Sequence, residues 1–215
     1  MDVTLTGKDF ISILNEIADA IEKNQDYLSE LDSALGDGDH GVSMTIGWRA
    51  VKEKLPELAG KDIGTILKTV GMTLVSSVGA AMGPLYGTGF MRAGMAVDGK
   101  QEVTGSDLVK MFVAFREGVV ARGKANVGDK TMVDTIHPAV EAFKTAMEGG
   151  EDVYSALDKA VAAGEAGMKS TINLVSKMGR SSRLGERTIG HQDPGATSSY
   201  IMLKTFADAV KRHRG

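Results

Sequence analysis

The chain of 215 residues contains no cysteine. Disulfides, thiolate metal sites and a cysteine nucleophile are therefore excluded, and the composition suits a reducing compartment. Phenylalanine, tryptophan and tyrosine together supply 5% of the residues. That is little for a β-rich core, whereas the plentiful methionine, alanine and glycine favour helices that approach one another closely. A strong excess of one charge is also missing: the formal net charge is −3, which gives no sign of a general binder of nucleic acid or acidic membranes. No apolar run approaches the ~18 residues that a membrane span needs. The opening MDVTLTGKDF has neither the basic nor the apolar region of a secretory signal. The expectation is a cytoplasmic protein, with no membrane partner and no direct nucleic-acid partner. The length fits one large domain or two small ones and is enough to bury a core.

What the chain does have is the stretch Leu31-Asp32-Ser33-Ala34-Leu35-Gly36-Asp37-Gly38-Asp39-His40-Gly41. Three carboxylates, three glycines and a histidine fall here between two helical patterns. Carboxylates this close repel one another, and a cation is their natural neutraliser. Hard oxygen ligands on a glycine-rich loop favour Mg²⁺ or Ca²⁺ over Zn²⁺. The stretch lacks the final Glu of an EF-hand loop, so a Ca²⁺-stabilised helical protein is disfavoured. A polar loop whose aspartates cap helices is the plainer alternative.

Along the chain, Thr6-Gly7-Lys8-Asp9 has the form of a capping box. Phe10, Ile13, Leu14, Ile17, Ala18 and Ile21 follow at helical spacing, and Tyr27, Leu28 and Leu31 extend the pattern. One first helix is thus predicted to run into the acidic stretch. A second covers residues 41–55 and is stopped by Pro56. Asp62 caps a third, through Leu74, and a fourth covers about residues 85–96. Between them, small residues from Ser76 to Phe90 fit either a tight helix crossing or a backbone that approaches a ligand. Thr104-Gly105-Ser106-Asp107 caps a fifth helix, ending near Arg122-Gly123.

The loop from Gly123 to Thr131 invites a P-loop reading, which fails. Asp129 intrudes between Gly128 and Lys130, and no buried strand precedes the loop. A glycine-rich turn that opens a helix can still contact a ligand. A sixth helix covers about residues 132–147, with His137 as a capping or packing residue, and a seventh about residues 152–177. The following stretch from Gly179 to Gly195 holds three arginines, four glycines and a histidine. Asp193-Pro194 then supplies the N-cap and first residue of an eighth helix, about residues 195–210, ahead of a basic tail at residues 211–214. The reading is one all-α domain over residues 1–215, an antiparallel bundle or barrel of about eight helices without a convincing strand. The polar, glycine-rich loops follow alternate helices, so an up-and-down arrangement gathers them at one end. Carboxylates, close-approach backbone and arginines together suit a metal–phosphate ligand.

Several motifs carry a more specific likeness. They are Gly36-Asp37-Gly38-Asp39-His40-Gly41, Gly71-Met72-Thr73-Leu74-Val75-Ser76-Ser77-Val78-Gly79, Gly83-Pro84-Leu85-Tyr86-Gly87-Thr88, Arg122-Gly123-Lys124-Ala125 with Gly128-Asp129-Lys130-Thr131-Met132, and the run from Leu184 to Ser198. In these, and in their order over nearly the whole chain, the sequence resembles the nucleotide-binding L subunits of dihydroxyacetone kinases. The resemblance implies an antiparallel barrel of eight helices that binds ADP or ATP at one end through two Mg²⁺ ions. It implies Asp32, Asp37 and Asp39 as metal ligands, and His40, Gly41, Val42 and Ser43 against the phosphates. Ala81 and Met82 would line the nucleotide, Gly123 and Met132 would flank the base, and Arg180 would contact phosphate. Asp193, Pro194 and Gly195 would close over the nucleotide. Two positions depart from the pattern: Ser43 stands where Asn is frequent, and Met82 where Ser is frequent.

Members of this family act either within a single-chain, ATP-consuming kinase or as separate subunits, and the second mode is expected here. ADP held by the subunit is then rephosphorylated by a phosphohistidine-carrying M-type phosphotransferase subunit. The resulting ATP passes its γ-phosphoryl group to dihydroxyacetone bound on a K subunit. No general base is assigned within this chain. The alternatives are a free-standing, ATP-exchanging subunit of a kinase for another small ketose, and a nucleotide-loaded regulatory binding module.

Overall fold

Short-range capping signals set most helix boundaries in the computed structural model, which describes residues 3–79 and 81–212. Met1, Asp2 and Ala80 lie outside the described residues, as do His213 and Arg214 of the basic tail. Helix α1 (Gly7–Lys23) opens on the expected capping box. The Thr6 hydroxyl accepts from the Asp9 N–H at 3.3 Å, and the Asp9 carboxylate accepts from the Thr6 N–H at 2.8 Å. The predicted single first helix is corrected to two. At Asn24 the backbone leaves helical geometry (φ −100°, ψ 13°) while its side chain donates to the Ala20 carbonyl at 2.8 Å, and α2 (Gln25–Ser33) restarts beyond it.

Helix α3 (His40–Lys54) ends in a 3₁₀ turn, Leu55–Leu58, that holds Pro56. Asp62 caps α4 (Ile63–Ser77), accepting from the Thr65 N–H at 2.9 Å. Helix α5 (Met82–Ala96) follows, then α6 (Gly105–Gly123) behind the Thr104–Asp107 box. Helix α7 (Val133–Glu148) contains Pro138, and Asp152 caps α8 (Val153–Ser170). Helix α8 stops short of the predicted residue 177. The Thr171 carbonyl accepts both the Leu174 N–H and the Lys130 ammonium, so the chain tightens into a 3₁₀ turn, Thr171–Asn173, and leaves the helix. Helix α9 (Pro194–Arg212) completes nine α-helices among the described residues, against about eight expected. A pairing too short to read in sequence joins β1 (Leu5–Thr6) to β2 (Glu102–Val103), antiparallel, with Leu5 opposite Val103.

Each helix packs on the next, and α9 closes the ring by packing on α1. Inside it, all six phenylalanines enter ring contacts. Phe90 lies edge-on between Trp48 and Phe115, and Phe112 bridges Phe143 and Phe206. Helices α4 and α5 cross on glycine: a Cβ on Gly71 would lie 2.5 Å from the Gly87 carbonyl oxygen. Within the small-residue stretch of residues 76–90, Gly83 and Gly87 serve this close crossing, while Gly79, Ala81, Met82, Pro84 and Leu85 reach the cavity described below.

The up-and-down path sorts the connections. Those following α2, α4, α6 and α8 meet at one end. Those following α3 and α5 meet at the other, where the Ile63 N–H donates to the Lys100 carbonyl at 2.8 Å and β1 pairs with β2.

Candidate functional site

The acidic stretch is folded by its own aspartate. The Asp32 carbonyl accepts the N–H groups of Leu35 and Gly36, and its carboxylate accepts the His40 N–H at 3.1 Å, tying the end of α2 to the start of α3. Gly38, at φ +76°, reverses the chain between the other two acids. Asp32, Asp37 and Asp39 each offer a carboxylate oxygen, all within 4.8 Å of one another. The Arg180 guanidinium pairs with Asp37, so a cation from the protein already rests on the cluster. Hard oxygen donors that attract a cation in this way fit Mg²⁺.

A buried polar network seats the start of α9. The His40 Nε2 lies 3.0 Å from the Ser198 hydroxyl, which lies 2.8 Å from the Tyr86 hydroxyl. Tyr86 also reaches the Ser199 hydroxyl at 2.8 Å and donates to the Gly195 carbonyl at 3.2 Å. Burial lowers the His40 pKa to about 4, leaving a neutral imidazole, and pushes the Tyr86 phenol up. Sequence reasoning gave Tyr86, Ser198 and Ser199 no role, although Tyr86 and Ser198 stand inside the family motifs.

The connection between α6 and α7 is held from within. Asp134, in the first turn of α7, accepts the N–H groups of Gly128 at 2.6 Å and Thr131 at 2.8 Å. Lys130 sits between them at φ +61° with its side chain buried. Its ammonium donates to the carbonyls of Thr171, Thr188 (2.9 Å) and His191. This inward turn is why the loop is not a phosphate cradle of the P-loop kind. The connection between α8 and α9 carries Arg180 and a 3₁₀ stretch, Ser181–Thr188, and ends at Asp193. The Asp193 carboxylate caps α9 by accepting the Ala196 N–H at 2.7 Å. Burial pushes its pKa up to about 7 against that hydrogen bond.

These four connections enclose an open cavity of about 630 Å³, within the range of small-molecule sites. Asp32, Asp37, Asp39, His40, Ala81, Met82, Gly123, Met132, Arg180, Asp193, Pro194 and Gly195 all border it. Gly41, Val42 and Ser43 are not among its lining residues. Gly41 faces α2, where a Cβ would lie 1.9 Å from the Gln25 carbonyl oxygen. Val42 is exposed, and the Ser43 N–H donates to the Asp39 carbonyl at 2.8 Å. Arg122, Pro84 and Leu85 also border the cavity, without having been singled out as site residues.

The DAK2 domain family matches residues 34–208. The chain is 46% identical to the ADP-binding subunit DhaL of the PEP-dependent dihydroxyacetone kinase of Escherichia coli (strain K12), over 97% of this chain and 100% of that one. It is 44% identical to the ADP-binding subunit DhaL of PEP-dependent dihydroxyacetone kinase 2 of Listeria innocua serovar 6a, over 94% of each chain. The crystal structure of the dihydroxyacetone kinase from C. freundii in complex with AMP-PNP and Mg²⁺ has the same fold, with a TM-score of 0.69 at 23% identity. That likeness covers 92% of this chain and 33% of the C. freundii chain. A ring of helices, an acidic cluster paired with an arginine at an end cavity, and identity over nearly full length agree. The chain belongs to the DAK2 domain family, among the L-type, ADP-binding subunits of dihydroxyacetone kinase.

Proposed function

We propose that this chain is the nucleotide-carrying phosphotransferase subunit of a phosphoenolpyruvate-dependent dihydroxyacetone kinase. It holds ADP with two Mg²⁺ ions in the end cavity. A phosphohistidine on an M-type subunit gives up its phosphoryl group as the P–N bond breaks and a bond to a β-phosphate oxygen of ADP forms. The resulting ATP passes its γ-phosphoryl group to dihydroxyacetone held by a K subunit. The observation that carries this reading is the cluster of Asp32, Asp37 and Asp39, with Arg180 paired to Asp37, at one cavity that Gly123 and Met132 also line.

Each residue has a physical part in that reading. Asp32, Asp37 and Asp39 would hold Mg²⁺, which neutralises charge on phosphoryl oxygens. Arg180 presents a planar fork of donors to phosphate. Helix α3 turns its positive end toward the acidic cluster and the phosphates. Gly123 lets the base approach, and the thioether of Met132 gives it a soft apolar face. Asp193, Pro194 and Gly195 form the rigid start of α9 along the nucleotide. His40, buried and bonded to Ser198, is not a phosphoryl acceptor in this scheme; ADP is. The base that takes the proton of the sugar hydroxyl belongs to the K partner.

The test is mass spectrometry of small molecules released from the freshly purified protein with no nucleotide added. Stoichiometric ADP is expected. An empty site that binds ATP with Mg²⁺ would indicate an exchanging kinase subunit instead. A protein that binds neither nucleotide would overturn the reading.

A further inference from the structure

The segment between α8 and α9 forms two parts of the cavity wall, yet it has little regular structure to hold it. It contains two 3₁₀ stretches, Thr171–Asn173 and Ser181–Thr188, and three glycines at positive φ, Gly179, Gly185 and Gly190. Its two ends bond to each other, the Gly190 N–H to the Ile172 carbonyl at 2.7 Å, the Ser176 N–H to the Thr188 hydroxyl at 2.9 Å and the Asp193 N–H to the Thr171 hydroxyl at 3.0 Å, and Lys130 clamps both ends from outside. That side chain is 1% exposed. A lysine ammonium has three donors, and here all three are used, on the carbonyls of Thr171, Thr188 and His191. One acceptor opens the segment and two close it, so a single cation pins both of its ends. Burial pulls the lysine pKa down, while the carboxylates of Asp193 and Asp134 favour its charged form. A second tie lies alongside: the Asp129 carbonyl accepts the Lys177 N–H at 3.1 Å, and its carboxylate accepts the Lys177 ammonium at 3.2 Å.

The backbone conformation of Lys130 points the same way. A non-glycine residue at φ +61° is held in the left-handed region at a cost of about 1 kcal/mol or more. The N–H groups on either side of it in the loop, at Gly128 and Thr131, are fixed by Asp134. The connection is thus built to turn this one side chain inward. Although Lys130 borders the cavity, it has no donor left for a phosphate.

We propose that Lys130 is a positioning residue of the nucleotide site: by clamping both ends of the segment between α8 and α9, it sets where Arg180 and the wall of Asp193, Pro194 and Gly195 stand. The inference rests on the proposed nucleotide-binding role of the cavity. It separates Lys130 from a purely structural residue, because the effect on nucleotide passes through Arg180.

The absence of cysteine makes a clean test available. Lys130→Cys introduces the only thiol of the chain. Alkylated while unfolded with 2-bromoethylamine and then refolded, it regains an ammonium at the reach of lysine; alkylated with iodoacetamide, it stays neutral. The rate of ADP loss in the presence of Mg²⁺ is measured for each form, with Arg180 and with Arg180→Ala. The neutral form should lose ADP about tenfold faster or more, and Arg180→Ala should then add little. The aminoethylated form should recover both slow ADP loss and sensitivity to Arg180→Ala.

Unchanged ADP retention in the neutral form overturns the inference. So does an Arg180→Ala effect of the same size with and without the ammonium. Should the neutral form not refold, Lys130→Gln keeps two donors without the charge and carries the same comparison. It should lose ADP several-fold faster, with a reduced Arg180→Ala effect, and wild-type values in it overturn the inference. Wild-type protein that binds no ADP overturns the nucleotide reading and this inference together. Wild-type binding that is matched by the neutral form overturns only the role of Lys130.

Discussion

Arg180 and Asp37 form an ion pair across the mouth of the cavity although 143 residues separate them in sequence. Their side chains are 68% and 51% exposed. A pair this exposed contributes little to stability, so on the proposed reading each partner would be cheaply released, the guanidinium to phosphate and the carboxylate to a cation.

Arg180→Ala should therefore leave the melting temperature nearly unchanged. Charge-assisted hydrogen bonds to phosphate contribute about 1.5–3 kcal/mol. The variant should accordingly lose ADP about tenfold to a hundredfold faster in the presence of Mg²⁺. Rapid-mixing dissociation of a fluorescent ADP analogue measures this. Wild-type retention in the variant would remove Arg180 from the site.

Asp37→Ala and Asp39→Ala should abolish Mg²⁺-dependent ADP binding while the far-ultraviolet circular dichroism stays helical. Both side chains are exposed and cap no helix, so the fold does not lean on them. Calorimetric titration with ADP, with and without Mg²⁺, reads the outcome. Wild-type affinity in either variant would contradict the metal assignment.

Asp193 should make stability depend on pH near neutrality. Lys130 from the connection between α6 and α7, Asp134 from α7 and the neutral phenol of Tyr86 from α5 surround it. Burial raises its pKa to about 7 in the folded chain, whereas an unfolded aspartate titrates near 4. Between these values the folded state keeps a proton that the unfolded state has released. Stability therefore falls as pH rises from about 4 to about 7, then levels off. Asp193→Asn keeps an oxygen for the Ala196 N–H and cannot ionise. Urea midpoints at pH 5 and pH 8 should drop more for the wild type than for the variant. Equal drops would assign the dependence to another group.

Gly71→Ala should destabilise the fold by about 1–3 kcal/mol through overpacking. The new methyl would meet the Gly87 carbonyl oxygen at 2.5 Å and the Met91 side chain at 2.6 Å. Gly79→Ala, with nothing within 4 Å of the added carbon, is the matched control and should unfold as the wild type does. Chemical denaturation of the two variants side by side tests the α4–α5 crossing.

Features written in neighbouring residues were legible before the structure. The boxes at Thr6 and Asp9 and at Thr104 and Asp107, the caps at Asp62 and Asp193, and Pro194 at the first helical position all act within one turn. The gathering of four connections at one end followed from the alternation of loop composition along an up-and-down chain. Features decided by distant groups were not legible. Tyr27, Leu28 and Leu31 continue the apolar period of α1 and hide the break at Asn24. Ile172 and Val175 likewise extend the pattern of α8, but the Thr171 carbonyl is claimed by Lys130 from 41 residues away. Lysine in a glycine-rich loop suggests solvent or phosphate, and its actual partners, backbone carbonyls, leave no mark in sequence. The family resemblance implies that the run from His40 to Ser43 lies against phosphate. A helix turns successive residues to different faces, and only His40 of the four borders the cavity.

Helix α9 starts at the cavity with Pro194 and runs for 19 residues, roughly 28 Å at ~1.5 Å per residue, toward the opposite end. There β1 leads into α1 and pairs with β2. Polypeptide joined ahead of β1 or beyond α9 would thus emerge far from the cavity mouth. A tether at either end would leave the cavity mouth uncovered. What tethering changes is encounter. A short flexible linker holds a partner at an effective concentration in the millimolar range, whereas a free barrel acting between two partners would meet each at whatever concentration it reaches in solution. A detached carrier can visit two partners in turn, and for it collision frequency becomes part of the turnover rate.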